Sequence, residues 1–209
     1  MILIGQYDSP FVRRVAIALK LYGMHFEHRP WSTFGDADKI ARYNPLRRVP
    51  TFVLDDGYSL IESATILDYL DELAGTEALI AERGPERRRC LKTCALATGL
   101  ADKAVSLLYE HVLRKDQQSR IWVERCETQI GDVLDELEKQ RAAIKTPFWF
   151  GVKIGHSDVA VACALRFVRE AHPNLFDPAR CPALADHAAR CEALEVFQEI
   201  VQPLIPPKG

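Results

Sequence analysis

Three short stretches of the chain carry residue types that could do chemistry: Ser9-Pro10, Val49-Pro50 and Glu62-Ser63. Ser9-Pro10 stands where a strand-like run gives way to a helical one. Serine is a favoured helix N-cap and proline a favoured first helical residue, so helix initiation alone accounts for the pair. The same geometry suits a second use. A hydroxyl at a helix N-terminus stands among unpaired backbone N–H groups at the positive end of the helix dipole. A thiol brought there ionises more readily, because hydrogen bonding and the dipole both favour the thiolate. Serine has no redox chemistry of its own, but it can donate a hydrogen bond to a ligand's sulfur.

Val49-Pro50 opens a strand, where a proline needs no special explanation. X–Pro bonds are cis in only about 5–6% of cases in folded proteins. A cis Pro50 would turn the Val49 N–H and C=O outward, free to pair with an extended peptide as an added strand does. Glu62-Ser63 opens another helical run. It reads either as a cap with an acidic first turn or as a binding site. In the second case the Ser63 hydroxyl and amide would hold a ligand carboxylate, while Glu62 attracts an amino group.

The elements that must position these residues divide near residue 80. Residues 2–7 read as a strand, and Asp8-Ser9-Pro10 breaks it. Val12, Val15, Ala16, Leu19 and Tyr22 then fall on one helical stripe closed by Gly23. Residues 26–29 form a second strand, and 36–43 a possible short helix. Residues 49–54 and 58–61, joined by Asp55-Asp56-Gly57, predict a β-hairpin, and a helix runs from Glu62 to a stop at Gly75. After a linker over 80–85 strand signals vanish. Helical spacing marks 87–113, 117–142 and the strongly apolar 158–171, with two shorter helices after Pro182 and Cys191 and a proline-rich tail from Pro203.

Bulk properties exclude several classes. The 209 residues are 48% apolar and 27% charged, and their net charge of −2 offers no broad footprint for nucleic acid or an anionic membrane. No apolar run approaches the roughly 18–20 residues of a membrane span, and the first residues lack the basic start of a signal peptide. A cytoplasmic protein without nucleic-acid or membrane partners is expected. The cysteines, at 90, 94, 126, 163, 181 and 191, lie in the second half and form no Cys-x-x-Cys pair. Cys90 and Cys94 share a helix face, but no further ligand stands at zinc-site spacing, so reduced, buried thiols and no metal are expected. His156 reads as structural.

Taken together, Ser9-Pro10-Phe11-Val12-Arg13-Arg14-Val15, Asn44-Pro45-Leu46-Arg47-Arg48-Val49-Pro50 and Leu60-Ile61-Glu62-Ser63-Ala64-Thr65-Ile66-Leu67-Asp68-Tyr69-Leu70 resemble the three N-terminal signatures of the glutathione transferases, in that family's order and spacing. Phe148-Trp149-Phe150-Gly151 and Asp158-Val159-Ala160 resemble the start of its buried helix. The resemblance covers essentially the whole chain. It implies an α/β thioredoxin-like N-terminal domain (βαβ-α-ββα) over 1–78, a linker over 79–85 and an all-α helical bundle over 86–209. It also implies a homodimer, glutathione as co-substrate and a small apolar electrophile as its partner in a detoxifying reaction.

The roles carried over are specific. Ser9 would stabilise the glutathione thiolate, and Val49 before a cis Pro50 would pair with the cysteinyl backbone. Glu62 and Ser63 would hold the γ-glutamyl end, and Arg48, or Arg47, the glycine carboxylate. Phe11 belongs with the glutathione-binding residues and also borders the second-substrate pocket, for which Tyr7, Phe34, Leu108 and Tyr109 are the other candidates. Some family members use a tyrosine in place of the serine, and Tyr7 is two positions away; the cap position favours Ser9. No cysteine lies near Ser9, which disfavours the cysteine-dependent branches. Gly155 stands where the family usually has a capping serine or threonine, so half of a capping box is missing. The activity expected is conjugation, with thiolate-driven peroxide reduction or dehalogenation as one alternative and a non-catalytic glutathione-binding or interaction module as another.

Overall fold

A computed structural model describes residues 1–207; residues 208 and 209, counted in the helical domain expected over 86–209, lie outside the described residues. Four strands form one mixed sheet: β1 (Ile2–Ile4), β2 (Glu27–Arg29), β3 (Thr51–Val53) and β4 (Ser59–Ile61), in the order β2-β1-β3-β4. β1 runs parallel to β2, with Leu3 opposite His28, and antiparallel to β3, with Leu3 opposite Phe52. β3 and β4 form the expected hairpin. The crossover from β1 to β2 is α1 (Pro10–Leu21), a short α2 (Ala37–Ile40) precedes β3, and α3 (Ser63–Ala74) follows β4. This is the thioredoxin-like arrangement, and the described elements that follow it are helices.

β1 is shorter than the expected 2–7 because Gly5 leaves the extended conformation at φ 131°. A Cβ on Gly5 would lie 2.5 Å from Val12 Cγ2 and 2.8 Å from Val49 Cβ. The bare α-carbon therefore lets the turn before Ser9, the first turn of α1 and the Val49 loop meet at one point.

The helical part comprises α4 (Gly84–Arg114), α5 (Arg120–Ala142), α6 (His156–Ala171), α7 (Pro182–Glu192) and α8 (Glu195–Glu199). α4 starts earlier than the expected residue 87, because Pro85 occupies its first turn instead of ending a linker. α5 starts later than residue 117, since 115–117 form a separate 3-10 turn and the Ser119 hydroxyl then caps by accepting from the Trp122 amide at 3.4 Å. None of the described helices is long and apolar enough to cross a membrane.

α6 is buried nearly all round, which explains its unbroken apolar pattern. One side, with Ala160, Val161, Ala164 and Leu165, packs into a core shared with α4 and α5. The other, with Val159, Ala162 and Cys163, packs against α1 and α3 in a core that also takes in Phe52, Phe197 and Ile200. The α/β part is thus closed by side chains from the far end of the chain. Arg13 of α1 fastens that closure. Its side chain, 1% exposed, donates to Glu192 through two nitrogens at 2.6 and 2.8 Å, and to the carbonyls of Ile200 and Phe197 at 2.8 and 3.0 Å.

The start of α6 retains half of a capping box. Asp158 Oδ2 accepts from the Gly155 amide at 2.9 Å and Oδ1 from the Trp149 amide at 2.8 Å. The reciprocal bond cannot form, because glycine has no side chain. A packing constraint explains the glycine: a Cβ there would lie 2.9 Å from the Leu79 carbonyl oxygen, while the His156 amide donates to that same oxygen at 3.0 Å. Gly155→Ser, which restores the missing hydroxyl, is therefore expected to destabilise the protein by about 1–3 kcal/mol through overpacking against backbone. Urea unfolding of the variant checks this; a gain in stability would mean that Leu79 moves aside freely.

Candidate functional site

Ser9 caps α1: its hydroxyl oxygen accepts from the Val12 amide at 3.4 Å, and Pro10 takes the first helical position. Among the described residues the Ser9 hydroxyl hydrogen has no acceptor, and the side chain borders a cleft of about 870 Å³. The amino end of α1 thus presents a hydrogen-bond donor and the positive end of the helix dipole to that cleft.

The Val49–Pro50 bond is cis. Among the described residues neither the Val49 N–H nor its C=O has a hydrogen-bond partner, and Val49 borders the cleft. A residue without an obvious chemical signature holds this loop. Asn44 is 1% exposed and donates through Nδ2 to the Arg48 carbonyl at 2.9 Å and to Thr51 Oγ1 at 3.1 Å, while its Oδ1 accepts from the Leu46 amide at 3.0 Å. Asn44 therefore ties 44–51 into a fixed arch and orients Arg47, Arg48 and Val49.

Glu62 precedes α3 with φ 65°, in the left-handed region that a side chain enters at a cost of about 1–3 kcal/mol. Its carboxylate meets Arg48 at 3.4 Å, with both side chains more than half exposed. Ser63 beside it is buried. Arg47 turns instead to Asp38, at 2.6 Å.

The opposite wall is apolar and aromatic. Phe11, Phe34, Leu108 and Tyr109 all border the cleft, and the rings of Phe34 and Tyr109 meet edge to face at 5.3 Å across the gap between the β2–α2 segment and α4. Tyr7 stands elsewhere. Its ring stacks on His28 at 3.9 Å, His28 Nε2 lies 2.8 Å from the Gly5 carbonyl, and burial pushes the phenol up to about 12. Tyr7, Pro50, Glu62 and Ser63 are not among the residues that border the cleft, whereas Ser9, Phe11, Arg48, Val49, Phe34, Leu108 and Tyr109 are.

Several bordering residues carry no sequence signal. Trp31, Ser32 and Thr33 come from the loop after β2, and Asp102 and Ser106 from α4. The proline-rich tail also borders the cleft. The Tyr7 amide donates to Gln202 Oε1 at 3.3 Å, the Leu204 amide to Glu170 at 2.9 Å, and the Ile205 amide to Asp8 at 3.1 Å. Leu204 and Ile205 thereby add to the apolar wall. Burial pushes the Asp8 carboxyl upward from the ordinary range, against the amides that hold it down.

Comparisons with known proteins place the chain in a family. Residues 3–78 match the family model described as Glutathione S-transferase, N-terminal domain, and residues 120–190 the one described as Glutathione S-transferase, C-terminal domain. A protein of Escherichia coli (strain K12) named "Uncharacterized GST-like protein YibF" is 29% identical over 170 residues, covering 80% of this chain and 82% of its own. The crystal structure of a glutathione S-transferase from Methylobacterium radiotolerans, in complex with glutathione sulfonate, superposes with a TM-score of 0.92 at 26% identity, covering 100% of this chain and 97% of its own. A glutathione transferase family member from Pseudomonas fluorescens Pf-5, with bound glutathione, gives a TM-score of 0.84 at 27% identity over 97% of this chain and 99% of its own.

Proposed function

Because the chain belongs to the glutathione S-transferase family, we propose that it binds glutathione at the amino end of α1 and transfers the glutathione sulfur to a small apolar electrophile. The observation that carries this reading is the Ser9 hydroxyl. Its oxygen is engaged by the Val12 amide while its hydrogen is free to point into the cleft. A thiol at that point is favoured as the thiolate, because it accepts the Ser9 hydrogen and sits at the positive end of the dipole.

Glutathione is an anionic, extended tripeptide, and the surroundings suit its three parts. The unpaired Val49 backbone pairs with the cysteinyl residue in strand fashion. Ser63 and the α3 N-terminus hold the γ-glutamyl carboxylate, and Glu62 its amino group. The Arg48–Glu62 pair then opens, which frees Arg48, or its neighbour Arg47, for the glycine carboxylate. Once bound, the sulfur attacks an electrophilic carbon held against Phe11, Phe34, Leu108, Tyr109 and the tail. The protein contributes a stabilised thiolate and proximity, with no general base required. A cytoplasmic homodimer is the working assembly. Tyr58, Leu73 and Leu91 are apolar side chains left exposed before β4, on α3 and on α4, which a second copy would cover.

Calorimetric titration with glutathione, followed by turnover with an aryl halide, a hydroperoxide and a haloalkane, tests the reading. Binding with fastest turnover of the aryl halide is the expected result. Faster turnover of the hydroperoxide or haloalkane would replace conjugation with the other thiolate chemistry, and binding without any turnover would reduce the protein to a glutathione-binding module.

The tail makes a separate prediction. Ending the chain at Val201 removes Leu204 and Ile205 from the apolar wall. Loss of that contact area is expected to raise KM for an apolar electrophile by about tenfold while changing glutathione affinity by less than about twofold. Steady-state kinetics at saturating glutathione give the answer. An unchanged KM would show that the tail takes no part in the pocket.

A further inference from the structure

Among the described residues, four charged side chains border the Ser9 cleft: Asp8, Arg47, Arg48 and Asp102. Three of them already face an opposite charge. Arg47 meets Asp38 at 2.6 Å, Arg48 meets Glu62 at 3.4 Å, and Asp102 meets Lys103 at 3.0 Å. Asp8 is the exception. Its carboxylate accepts the Ile205 amide at 3.1 Å, and it has no cationic partner among the described residues.

A second carboxylate stands nearby. Glu170 accepts the preceding amide of the tail, that of Leu204, at 2.9 Å. Glu170 is balanced by Arg166 at 2.8 Å, whereas burial, and to a smaller extent the charge of Glu170, push the Asp8 carboxyl upward. A carboxylate partly withdrawn from water without a counter-charge is costly, and a cation brought beside it offsets that cost. The same cleft is bordered by Phe11, Phe34, Tyr109 and Phe167, and Phe34 is 49% exposed, so a ligand can reach its ring. Ring faces attract cations through their quadrupole, most strongly where water is excluded. A carboxylate among aromatic rings is chemistry that recognises an ammonium group and repels an anion.

We propose that the second substrate is an electrophile whose apolar body carries a cationic group, and that Asp8 selects it. The inference rests on the glutathione-transfer reading and names the class of electrophile within it. Asp8 and Ser9 are consecutive, so the anion that holds the cation stands next to the donor that holds the sulfur. A carboxylate-bearing electrophile would meet Asp8 and Glu170 without a compensating cation, because the two arginines are committed to glutathione and to their own carboxylates. With an aryl chloride the step is simple. The thiolate attacks the ring carbon that bears chlorine, the C–S bond forms, the C–Cl bond breaks and chloride leaves with the electron pair.

Three nitro-activated aryl chlorides, alike except for a trimethylammonium, an uncharged amide or a carboxylate substituent, read the preference. Each kcat/KM at saturating glutathione is divided by the rate constant of the same chloride with glutathione in buffer. That division removes intrinsic reactivity and the attraction of a cation to the thiolate itself. The expected order is cation, amide, carboxylate, the first exceeding the last by about thirtyfold. Asp8→Asn keeps an oxygen for the Ile205 amide but removes the charge, and should cut that ratio by about tenfold. A ratio at or below one, or a ratio that Asp8→Asn leaves unchanged, would overturn the inference while the transferase reading stands. If none of the chlorides turns over, the transferase reading fails instead, and calorimetric titration with benzyltrimethylammonium decides whether Asp8 binds a cation. Binding that weakens about tenfold in Asp8→Asn supports it, and absent or equal binding overturns it. Should Asp8→Asn not fold, the order of the three chlorides on the wild type decides alone.

Discussion

Replacing Ser9 with alanine is expected to lower kcat/KM for conjugation by roughly 30- to 900-fold, the equivalent of about 2–4 kcal/mol for one donor aimed at developing or stabilised negative charge. Glutathione affinity should change far less, because the Val49 backbone, the α3 N-terminus and the arginines are untouched. Ser9 is also the N-cap of α1, so alanine removes a cap worth about 1 kcal/mol as well as a donor. Two companions separate these roles. Ser9→Gly has no hydroxyl but costs only a few tenths of a kcal/mol as a cap, and should be as slow as alanine. Ser9→Thr keeps the hydroxyl and the cap, and should retain most activity. Steady-state kinetics on the three, with circular dichroism to confirm folding, check the result. Alanine and glycine variants with wild-type turnover would remove Ser9 from the chemistry.

The largest effect on stability should come from Arg13→Ala. Arg13 is buried and spans from α1 to Glu192 of α7 and to the carbonyls of Phe197 and Ile200, with its guanidinium 5.3 Å from the centre of the Phe197 ring. Removing it leaves two buried carbonyls and a partly buried carboxylate without their donor. Breaking such a pair costs about 3–5 kcal/mol, which lowers Tm by roughly 6–20 °C in a chain of this size. The substitution also loosens the segment that leads from α8 into the tail beside the cleft. Glu192→Gln and the double variant complete a cycle. If the ion pair carries the effect, the double variant should be destabilised by clearly less than the sum of the singles. Strict additivity, or a fall in Tm of only a degree or two, would show that Arg13 is held by packing alone.

Local chemistry was legible in the sequence wherever it depended on neighbours along the chain. Ser9-Pro10 capping α1, the hairpin turn ending in Gly57 and the hydrogen bond from the Gly155 amide to Asp158 all follow from residues within a few positions of one another. The cis bond before Pro50 agrees with the expectation drawn from the family resemblance. What stayed hidden depends on partners far away. Nothing near Arg13 in the chain accounts for its burial, which rests on Glu192, 179 residues on. Asn44 carries no role of its own in the sequence, and only the folded loop shows it bracing the carbonyl of Arg48. The tail from Pro203 has no periodicity to read, and its place beside the cleft rests on amides bonded to Asp8 and Glu170. Gly155 shows the other kind of hidden cause, in which the Leu79 carbonyl forbids the side chain that local capping rules prefer.

A crystal structure with glutathione soaked in tests the central claim most directly. The account predicts the sulfur within hydrogen-bonding distance of Ser9 Oγ, with the cysteinyl amide and carbonyl paired to Val49. Density that puts the sulfur beside another group, or a cleft that stays empty at saturating glutathione, would contradict it.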